Sequence, residues 1–208
     1  MQLEFENILI RIWPLSILFL VILAILFWRK RRDIFYTLAF TVWGIYLLFF
    51  IDKVFYPIQV SGAYADAMRE NLSFASQINL GPFSFNWHSG VERVLRDFVL
   101  NIILTIPFGF GIHFIWQIPQ KRMYWLGLWL GLGIEITQLF ISLILGFPYR
   151  VIDINDLIAN LFGVWIGNWI FLGFAWVYQK TTLDYPKGKL EEYLDKVIGP
   201  ASPNQSTN

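Results

Sequence analysis

The sequence predicts an all-α integral membrane protein with about five transmembrane helices, oriented N-out/C-in, and a C-terminal amphipathic helix. Three observations predict this class. The chain is 56% apolar and 19% aromatic but only 15% charged, long windows lack charge, and Lys and Arg are unevenly distributed, whereas soluble domains average about 25% charged residues. The lack of cysteine excludes disulfide scaffolds and thiol catalysis. The net charge of +1 gives no indication of nucleic-acid binding.

Five windows of about 18–23 residues are long and apolar enough to cross a hydrocarbon core of about 30 Å. These windows are residues 8–28, 34–51, 98–118, 123–145 and 157–178. The first contains Arg11, the fourth contains Glu135, and the other three contain no charged residue. A basic cluster follows the first window, which is also too long for a cleavable signal, so a retained helix is predicted.

The Lys and Arg residues set the predicted orientation, because they are enriched in short cytoplasmic loops. With the N-terminus outside, ten of them fall in cytoplasmic segments and six fall outside. The cytoplasmic ones are Arg29, Lys30, Arg31, Arg32, Lys121, Arg122, Lys180, Lys187, Lys189 and Lys196. The block 29–32 is the strongest single signal.

The windows divide the chain into four parts. These are two N-terminal transmembrane helices (1–56), an extracytoplasmic loop (57–96), a three-helix unit (97–178) and a cytoplasmic amphipathic tail (179–208). In the loop, a short helix is predicted at 63–72, and alternating apolar residues in 78–87 are typical of an interfacial or re-entrant stretch. In the tail, the spacing of Leu190, Tyr193, Leu194, Val197 and Ile198 predicts a helix along the inner membrane surface. Disorder is predicted for 199–208.

Polar residues and glycines of the last three windows recur every three or four positions, so each set shares one helix face. The sets are Asp97, Asn101, Thr105 and Gly109; Gly127, Gly131, Glu135 and Gln138; and Asp156, Asn160, Gly163 and Gly167. A charge at the centre of a membrane helix costs about 2.5–3.5 kcal/mol, so such residues are expected to face protein or water.

The orientation brings the polar ends of these faces together in the outer half of the three-helix unit. The candidate functional cluster is Arg96, Asn101, Glu135, Gln138, Arg150, Asp153, Asp156 and Asn160. We interpret Gly127, Gly131, Gly163 and Gly167 as helix-packing residues. Structural alternatives stay open: Asn101 and Asn160 as contacts between helices, Asp153 or Asp156 as a helix cap, and Arg150 as an ion-pair partner. His88 and His113 are interpreted as incidental, and neither a metal nor a cofactor is predicted.

Four stretches in this order carry a family resemblance. They are INLGPF at 78–83, NIILTIPFGF at 101–110, IEITQ at 134–138 and RVIDINDLIANLFG at 150–163. Together they resemble the VanZ-like family of bacterial multi-pass membrane proteins, named after a member associated with low-level resistance to teicoplanin, a glycopeptide antibiotic that acts on the cell wall. The resemblance implies a place in the bacterial plasma membrane and a cell-envelope role, without supplying a reaction. The chain departs from the family pattern at Gly81 and at Asn155, and Asn155 in place of an Asp argues against a dedicated metal site.

Three functions remain open. The first is a non-catalytic envelope protein that binds an outer-leaflet lipid or cell-wall precursor and so alters the access of a lipoglycopeptide to its target. The second is a membrane enzyme acting on lipid-linked or wall-precursor head groups, with Glu135 or Asp156 as general base and with Arg150 and Arg96 holding phosphate. The third is a small ion-coupled transporter, suggested by Glu135 in mid-span and by the break at Pro107.

Overall fold

The computed structural model describes residues 9–10, 12–28, 33–71, 73–85, 90–182 and 188–199. The helices are α1 (Trp13–Trp28), α2 (Ile34–Phe55), α3 (Ala63–Asn71), α4 (Val91–Gly111), α5 (Gln120–Leu145), α6 (Ile154–Thr181) and α7 (Lys189–Ile198). The strands are β1 (Leu9–Ile10), β2 (Ile58–Gln59), β3 (Ile78–Asn79) and β4 (Ile152–Asp153), and 3₁₀ turns lie at Phe74–Gln77 and Ile112–Phe114. The predictions for Arg11, the block 29–32, His88, Lys187 and 200–208 fall outside the described residues.

Within the described residues, four helices are long and apolar enough to cross a membrane. They are Ile34–Phe55, Val91–Phe114, Gln120–Leu145 and Ile154–Thr181, and the shorter segment Pro14–Ile25 of α1 is also apolar. Their outer surfaces carry many exposed large apolar side chains, which suits contact with lipid rather than water. The prediction of a helical multi-pass membrane protein is confirmed, whereas five spans and the N-out/C-in orientation stay predictions.

The interface between α4 and α6 is the most extensive contact between helices, and small residues bring the two backbones together. Gly163 of α6 lies against the Ile102 carbonyl, and Gly109 of α4 lies against the Val164 carbonyl. Gly167 makes a similar contact one turn further along α6. Because a Cβ at any of these positions would overlap backbone atoms of the facing helix, only glycine permits this approach.

Two further glycines bring α5 against α6. A Cβ added to Gly131 would lie 3.0 Å from the Leu157 carbonyl oxygen, and one added to Gly127 would lie 3.0 Å from Leu161 Cδ1. The four glycines that the sequence marks as packing residues therefore all lie at contacts between helices. The three helices α4, α5 and α6 form one closely packed unit.

Aromatic side chains of α2 cover this unit. Trp43 packs against Phe108 in a buried cluster, with ring centroids 5.8 Å apart. The Tyr46 hydroxyl donates a hydrogen bond to the Leu104 carbonyl at 2.8 Å. A buried Tyr hydroxyl that finds a carbonyl acceptor avoids the cost of an unpaired polar group. Phe19 of α1 packs in turn against α2.

One end of the bundle, which we call the strand end, holds the four strands, α3 and the loop between α5 and α6. Here β1 pairs with β2 in antiparallel fashion and β3 pairs with β4 in parallel fashion. Arg69 of α3 donates to the carbonyls of Leu145 at 3.3 Å and Val60 at 3.1 Å. Its guanidinium also lies 5.2 Å from the centre of the Phe147 ring. These contacts hold α3 over the C-terminus of α5.

The opposite end, which we call the tail end, holds the 3₁₀ turn Ile112–Phe114, the segment 115–119 and α7. Tyr193 of α7 is buried, its ring stacks against Phe35, and its hydroxyl donates to the Phe114 carbonyl at 2.8 Å. The tail helix is therefore present, but part of the apolar face predicted to lie on the membrane surface packs against protein. The physical reason is that the Tyr193 hydroxyl reaches an acceptor at the end of the bundle, which a lipid surface does not offer.

Candidate functional site

A parallel pair of two-residue strands shapes the polar region at the strand end. In this pair, Ile78 lies opposite Ile152 and Asn79 lies opposite Asp153. The stretch 78–87, predicted to be interfacial or re-entrant, thus contributes a strand to the site, although residues 86–89 lie outside the described part. The pairing joins the loop before α4 to Asp153, the residue that precedes α6.

Asp153 caps α6. Its Oδ1 accepts hydrogen bonds from the Asn155 backbone N–H at 2.8 Å and from the Asn155 side-chain amide at 2.8 Å. It also accepts a hydrogen bond from Asn79 Nδ2 at 3.1 Å. A carboxylate here satisfies an otherwise unpaired N–H group of the first helical turn and suits the positive end of the helix dipole. The structural alternative of a capping role is thus realised by Asp153.

Asn155 ties α6 to the loop that precedes α4. Its Oδ1 accepts a hydrogen bond from the Phe83 backbone N–H at 2.6 Å, and its Nδ2 donates to the Ser84 carbonyl at 3.3 Å. Asn79 Nδ2 donates to the same Ser84 carbonyl at 2.7 Å. The amide of Asn155 uses both its acceptor and its donor, which an aspartate at this position cannot do. The departure from the family pattern at Asn155 therefore has a structural role.

Three carboxylates meet where α5, β4 and α6 converge. Glu135 is only 6% exposed, and its Oε2 accepts a hydrogen bond from the Asp153 backbone N–H at 3.1 Å. The negative charges of Asp153 and Asp156 act on Glu135. Among the described residues, no Lys or Arg forms an ion pair with any of the three. These carboxylates therefore have no ion-pair partner in the described part of the chain.

A cavity of about 460 Å³ opens beside these residues at the strand end. Its charged lining consists of Asp97, Asp153, Asp156 and Arg93. Its neutral polar lining consists of Gln77, Asn79, Ser84 and Asn155, and its apolar wall consists of Ile78, Phe85, Val94, Phe98 and Val151. An apolar wall beside a few convergent polar groups is the usual character of a ligand site.

The structure brings together five of the eight residues of the predicted cluster. Glu135, Asp153 and Asp156 form the carboxylate group, and the Asn101 side chain interacts with Asp156. Asn160 lies one helical turn beyond Asp156, is 3% exposed, and its Oδ1 has no hydrogen-bond partner in the described part of the chain. An unsatisfied buried amide oxygen is rare and calls for a donor from a water molecule or a ligand.

The other three residues of the predicted cluster lie apart from it. Gln138 donates from Nε2 to the Val54 carbonyl at 3.0 Å and so joins α5 to α2. Arg96 is exposed and pairs with its neighbour Asp97 at 3.3 Å. Arg150 is exposed and does not line the cavity.

Arg150 lies close enough to Tyr149 for its positive charge to affect the Tyr149 hydroxyl. Burial raises the pKa of the Tyr149 hydroxyl to about 12, and the Arg150 charge offsets part of this rise. The Tyr149 hydroxyl has no hydrogen-bond partner among the described residues. Arg150 therefore belongs to the loop after α5 and not to the carboxylate group.

Most lining residues were absent from the predicted cluster, among them Asn79, Arg93 and Asn155. Arg93 precedes Asp97 by four residues on α4, so the helical spacing that links Asp97 to Asn101 also extends back to Arg93. Asn79 and Asn155 both lie in stretches that carry the family resemblance. Their approach depends on the parallel pairing of β3 with β4, which two residues per strand are too few to reveal by periodicity.

Among the described residues, no group of three or more His, Asp or Glu side chains is arranged to hold a metal ion. Comparison with known proteins gives one match: a family model described as VanZ/LLP1 covers residues 40–177, which is more than half of the chain. No curated protein and no solved structure matches significantly. The matched region contains every residue that lines the cavity.

Proposed function

We propose that this chain, which belongs to the VanZ/LLP1 family, acts in the cell envelope by binding an outer-leaflet lipid or cell-wall precursor in the cavity at the strand end. By occupying or reorganising that component, it changes the access of a lipoglycopeptide such as teicoplanin to its target and contributes to resistance. The protein resides in the bacterial plasma membrane, crosses it five times and has the N-out/C-in orientation, so the strand end faces outward.

The excess of Lys and Arg in the segments assigned to the cytoplasm supports this orientation, and the block 29–32 is its strongest part. Because the chain contains no cysteine, single cysteines report the orientation cleanly. We expect a membrane-impermeant thiol reagent to label Ser84→Cys in intact cells and to label Lys189→Cys only after lysis. The reverse pattern would contradict the orientation.

The observation that carries the proposal is a cavity lined by Asp97, Asp153, Asp156 and Arg93, next to the buried side chain of Glu135. Glu135, Asp153 and Asp156 offer acceptors without an ion-pair partner among the described residues. Phe85 and Phe98 supply an apolar wall. This combination suits an amphiphile whose head group carries N–H or O–H donors, as amino sugars, peptides and aminated lipid head groups do.

The first test is the susceptibility phenotype. Deletion of the gene should lower, and overexpression should raise, the teicoplanin concentration that inhibits growth. The same measurement on Asp156→Asn tests the cavity, because this isosteric change removes one charged acceptor. Loss of a charge-assisted hydrogen bond costs about 1.5–3 kcal/mol, which is about tenfold or more in affinity.

The matched control is Glu92→Gln, an exposed acid at the start of α4 that does not line the cavity. This variant should keep the wild-type phenotype, with protein levels checked in membranes. If neither deletion nor overexpression changes teicoplanin susceptibility, the resistance part of the proposal is wrong. If Asp156→Asn accumulates normally and keeps the full phenotype, the cavity is not the site.

The second candidate is a membrane enzyme that acts on lipid-linked or wall-precursor head groups. One observation favours it: Arg93 and Asp156 line the same cavity, so a group that can hold phosphate and a group that can act as a base face one volume. In this candidate function, Arg93 holds the phosphate, which is the role that the sequence analysis assigned to Arg150 and Arg96. Conversion of a lipid-linked precursor by purified protein, detected by mass spectrometry and lost in Glu135→Gln, is the expected result for an enzyme.

A further inference from the structure

A second polar cavity lies at the tail end, beneath α7, and the proposed function does not use it. Its volume is about 730 Å³. Phe171, Leu172 and Trp176 of α6 form an apolar wall, and its polar lining includes His113, Gln120, Lys196 and the carboxylate of Asp195. A smaller cavity of about 500 Å³ is also lined by His113 and Lys196.

His113 is the central polar residue of this region. It is 5% exposed, and its ring stacks on Phe171 with centroids 4.0 Å apart and an angle of 8° between the planes. It lines both cavities. The sequence interpretation treated His113 as incidental. In the structure, it is a buried imidazole that lines two cavities.

A directional chain of hydrogen bonds fixes the position of the proton on the His113 ring. Asn168 Nδ2 donates to Gln120 Oε1 at 2.9 Å, so the Asn168 oxygen is the atom that faces His113. His113 Nε2 lies 2.8 Å from that oxygen and must therefore carry the proton that is donated. The ring atom that remains for a ligand is Nδ1, which accepts from a hydroxyl when the ring is neutral and donates when it is charged.

A cation stands beside this imidazole. Lys196 is exposed, lines both cavities and forms no ion pair with the part of the chain that the structure describes. Its backbone is held in place because Gln117 Nε2 donates to the Lys196 carbonyl. Nearby, the Lys180 ammonium lies 4.1 Å from the centre of the Trp176 ring. Trp and Lys side chains in this arrangement are typical of the boundary between hydrocarbon and lipid head groups.

We infer that the cavity beneath α7 binds an anionic phospholipid whose head group carries a hydroxyl, as phosphatidylglycerol does, from the leaflet at the tail end. Lys196 pairs with the phosphate, and His113 Nδ1 accepts a hydrogen bond from the head-group hydroxyl. The apolar wall formed by Phe171, Leu172 and Trp176 packs against the first carbons of the acyl chains. The charge, the acceptor and the apolar wall each match one part of a single lipid molecule.

The test uses the full chain purified in a neutral detergent. Native mass spectrometry measures lipid binding, and a thermal scan measures stability. Phosphatidylglycerol in excess should raise the melting temperature by at least about 4 °C, since a ligand that binds only the folded state stabilises it by mass action. Phosphatidylcholine, which has neither a net negative charge nor a head-group hydroxyl, should give no comparable rise.

Two variants remove the two recognition groups. Lys196→Gln is an exposed substitution and should lower the affinity for phosphatidylglycerol about tenfold, as expected for loss of one charge-assisted hydrogen bond. Lys189→Gln, an exposed lysine of the same helix outside both cavities, is the matched control and should bind normally. His113→Phe keeps a ring that can stack on Phe171 but removes Nδ1. It should therefore lose the part of phosphatidylglycerol binding that depends on the head-group hydroxyl.

Three results would overturn the inference. The first is equal stabilisation by phosphatidylglycerol and phosphatidylcholine. The second is unchanged affinity in Lys196→Gln, which does not depend on whether His113→Phe folds. The third is full stabilisation by glycerol 3-phosphate alone, which would make the ligand a soluble phosphate ester instead of a lipid. None of these results bears on the teicoplanin phenotype, which depends on the strand end.

Discussion

The two ends of the α4–α6 interface are both polar, but their chemistry differs. At the strand end, carboxylates of Asp153 and Asp156 line a cavity that the β3–β4 pair helps to form. At the tail end, the neutral amide of Asn168 and the imidazole of His113 lie beneath α7. The α4–α6 pair thus borders a cavity with three carboxylates and Arg93 at the strand end, and a cavity with Lys196 and Asp195 at the tail end.

In the middle of the same interface, the described residues of α4 and α6 pack backbone against backbone. Gly109 lies against the Val164 carbonyl, and Gly163 lies against the Ile102 carbonyl. Backbones in direct contact leave no room for water between the two polar ends. This contact argues against an ion path along the α4–α6 interface, which is where the transporter alternative would need one. The difference between the ends therefore indicates two separate sites.

The largest effect is expected from Gly163→Ala, which separates the two helices on which both sites depend. The added methyl group would overlap Thr105 Oγ1 and the Ile102 carbonyl. Overpacking of this kind costs about 1–3 kcal/mol or more when backbone atoms must move. We expect a lower melting temperature in detergent. The teicoplanin phenotype and the binding of phosphatidylglycerol should be lost together.

Gly173→Ala on the same helix is the matched control, because a Cβ at Gly173 meets no atom within 4 Å. Away from such contacts, alanine favours a helix over glycine by about 1 kcal/mol. Gly173→Ala should therefore match or exceed the wild-type melting temperature. Equal melting temperatures for Gly163→Ala and Gly173→Ala would show that the close approach is unimportant.

The next largest effect is expected from Asn155→Ala, which damages the strand end alone. The change leaves the Phe83 N–H without its acceptor and removes donors to Asp153 and Ser84. Each lost hydrogen bond costs about 0.5–1.5 kcal/mol. The teicoplanin phenotype should fall while binding of phosphatidylglycerol at the tail end stays unchanged. Loss of both readouts would mean that the two ends are coupled.

Helical periodicity and the helix-start pattern predict the fold class and three acidic residues of the strand end, but only two of the residues that line its cavity. Glu135 and Asp156 lie at predictable positions on long apolar helices, and Asp153 precedes α6 where a cap is expected. The resemblance to the VanZ-like family is confirmed by the family match over residues 40–177. The packing role of Gly163 likewise follows from its spacing to Gly167.

The parts that the sequence does not reveal depend on contacts between distant segments. Asn79 reaches Asp153 only because two short strands pair across 74 positions of sequence. His113 extends the four-residue spacing of Thr105 and Gly109, but its partner Asn168 lies on another helix, 55 positions away. Gln138 shares a face with Glu135, yet it bonds to α2. Periodicity identifies a polar face but not the helix that it meets.

A smaller effect is expected from Tyr193→Phe, which acts on the tail end. The variant loses one hydrogen bond to the Phe114 carbonyl, worth about 0.5–1.5 kcal/mol. Burial raises the pKa of Tyr193 to about 12, above the ordinary value near 10. This contribution to docking is therefore complete below about pH 10 and is lost as the pH rises towards 12. Tyr193→Phe should remove this step.

The measurement uses a fluorophore on a single cysteine at the exposed position Glu192, since the chain has no native cysteine. Fluorescence anisotropy should fall between pH 10 and 12 when α7 undocks. In Tyr193→Phe the fall over this range should be absent. An anisotropy fall of the same size in both proteins would show that α7 responds to another group.

The smallest effect on stability is expected from Arg93→Gln and Arg150→Gln. Comparing the two variants tests whether the cavity or the loop after α5 carries the phenotype. Both side chains are exposed, so each change should alter the free energy of unfolding by less than about 0.5 kcal/mol. Only Arg93 lines the cavity. Arg93→Gln should therefore change the teicoplanin phenotype and Arg150→Gln should leave it intact. The opposite result would move the functional surface from the cavity to the loop after α5, where Arg150 lies.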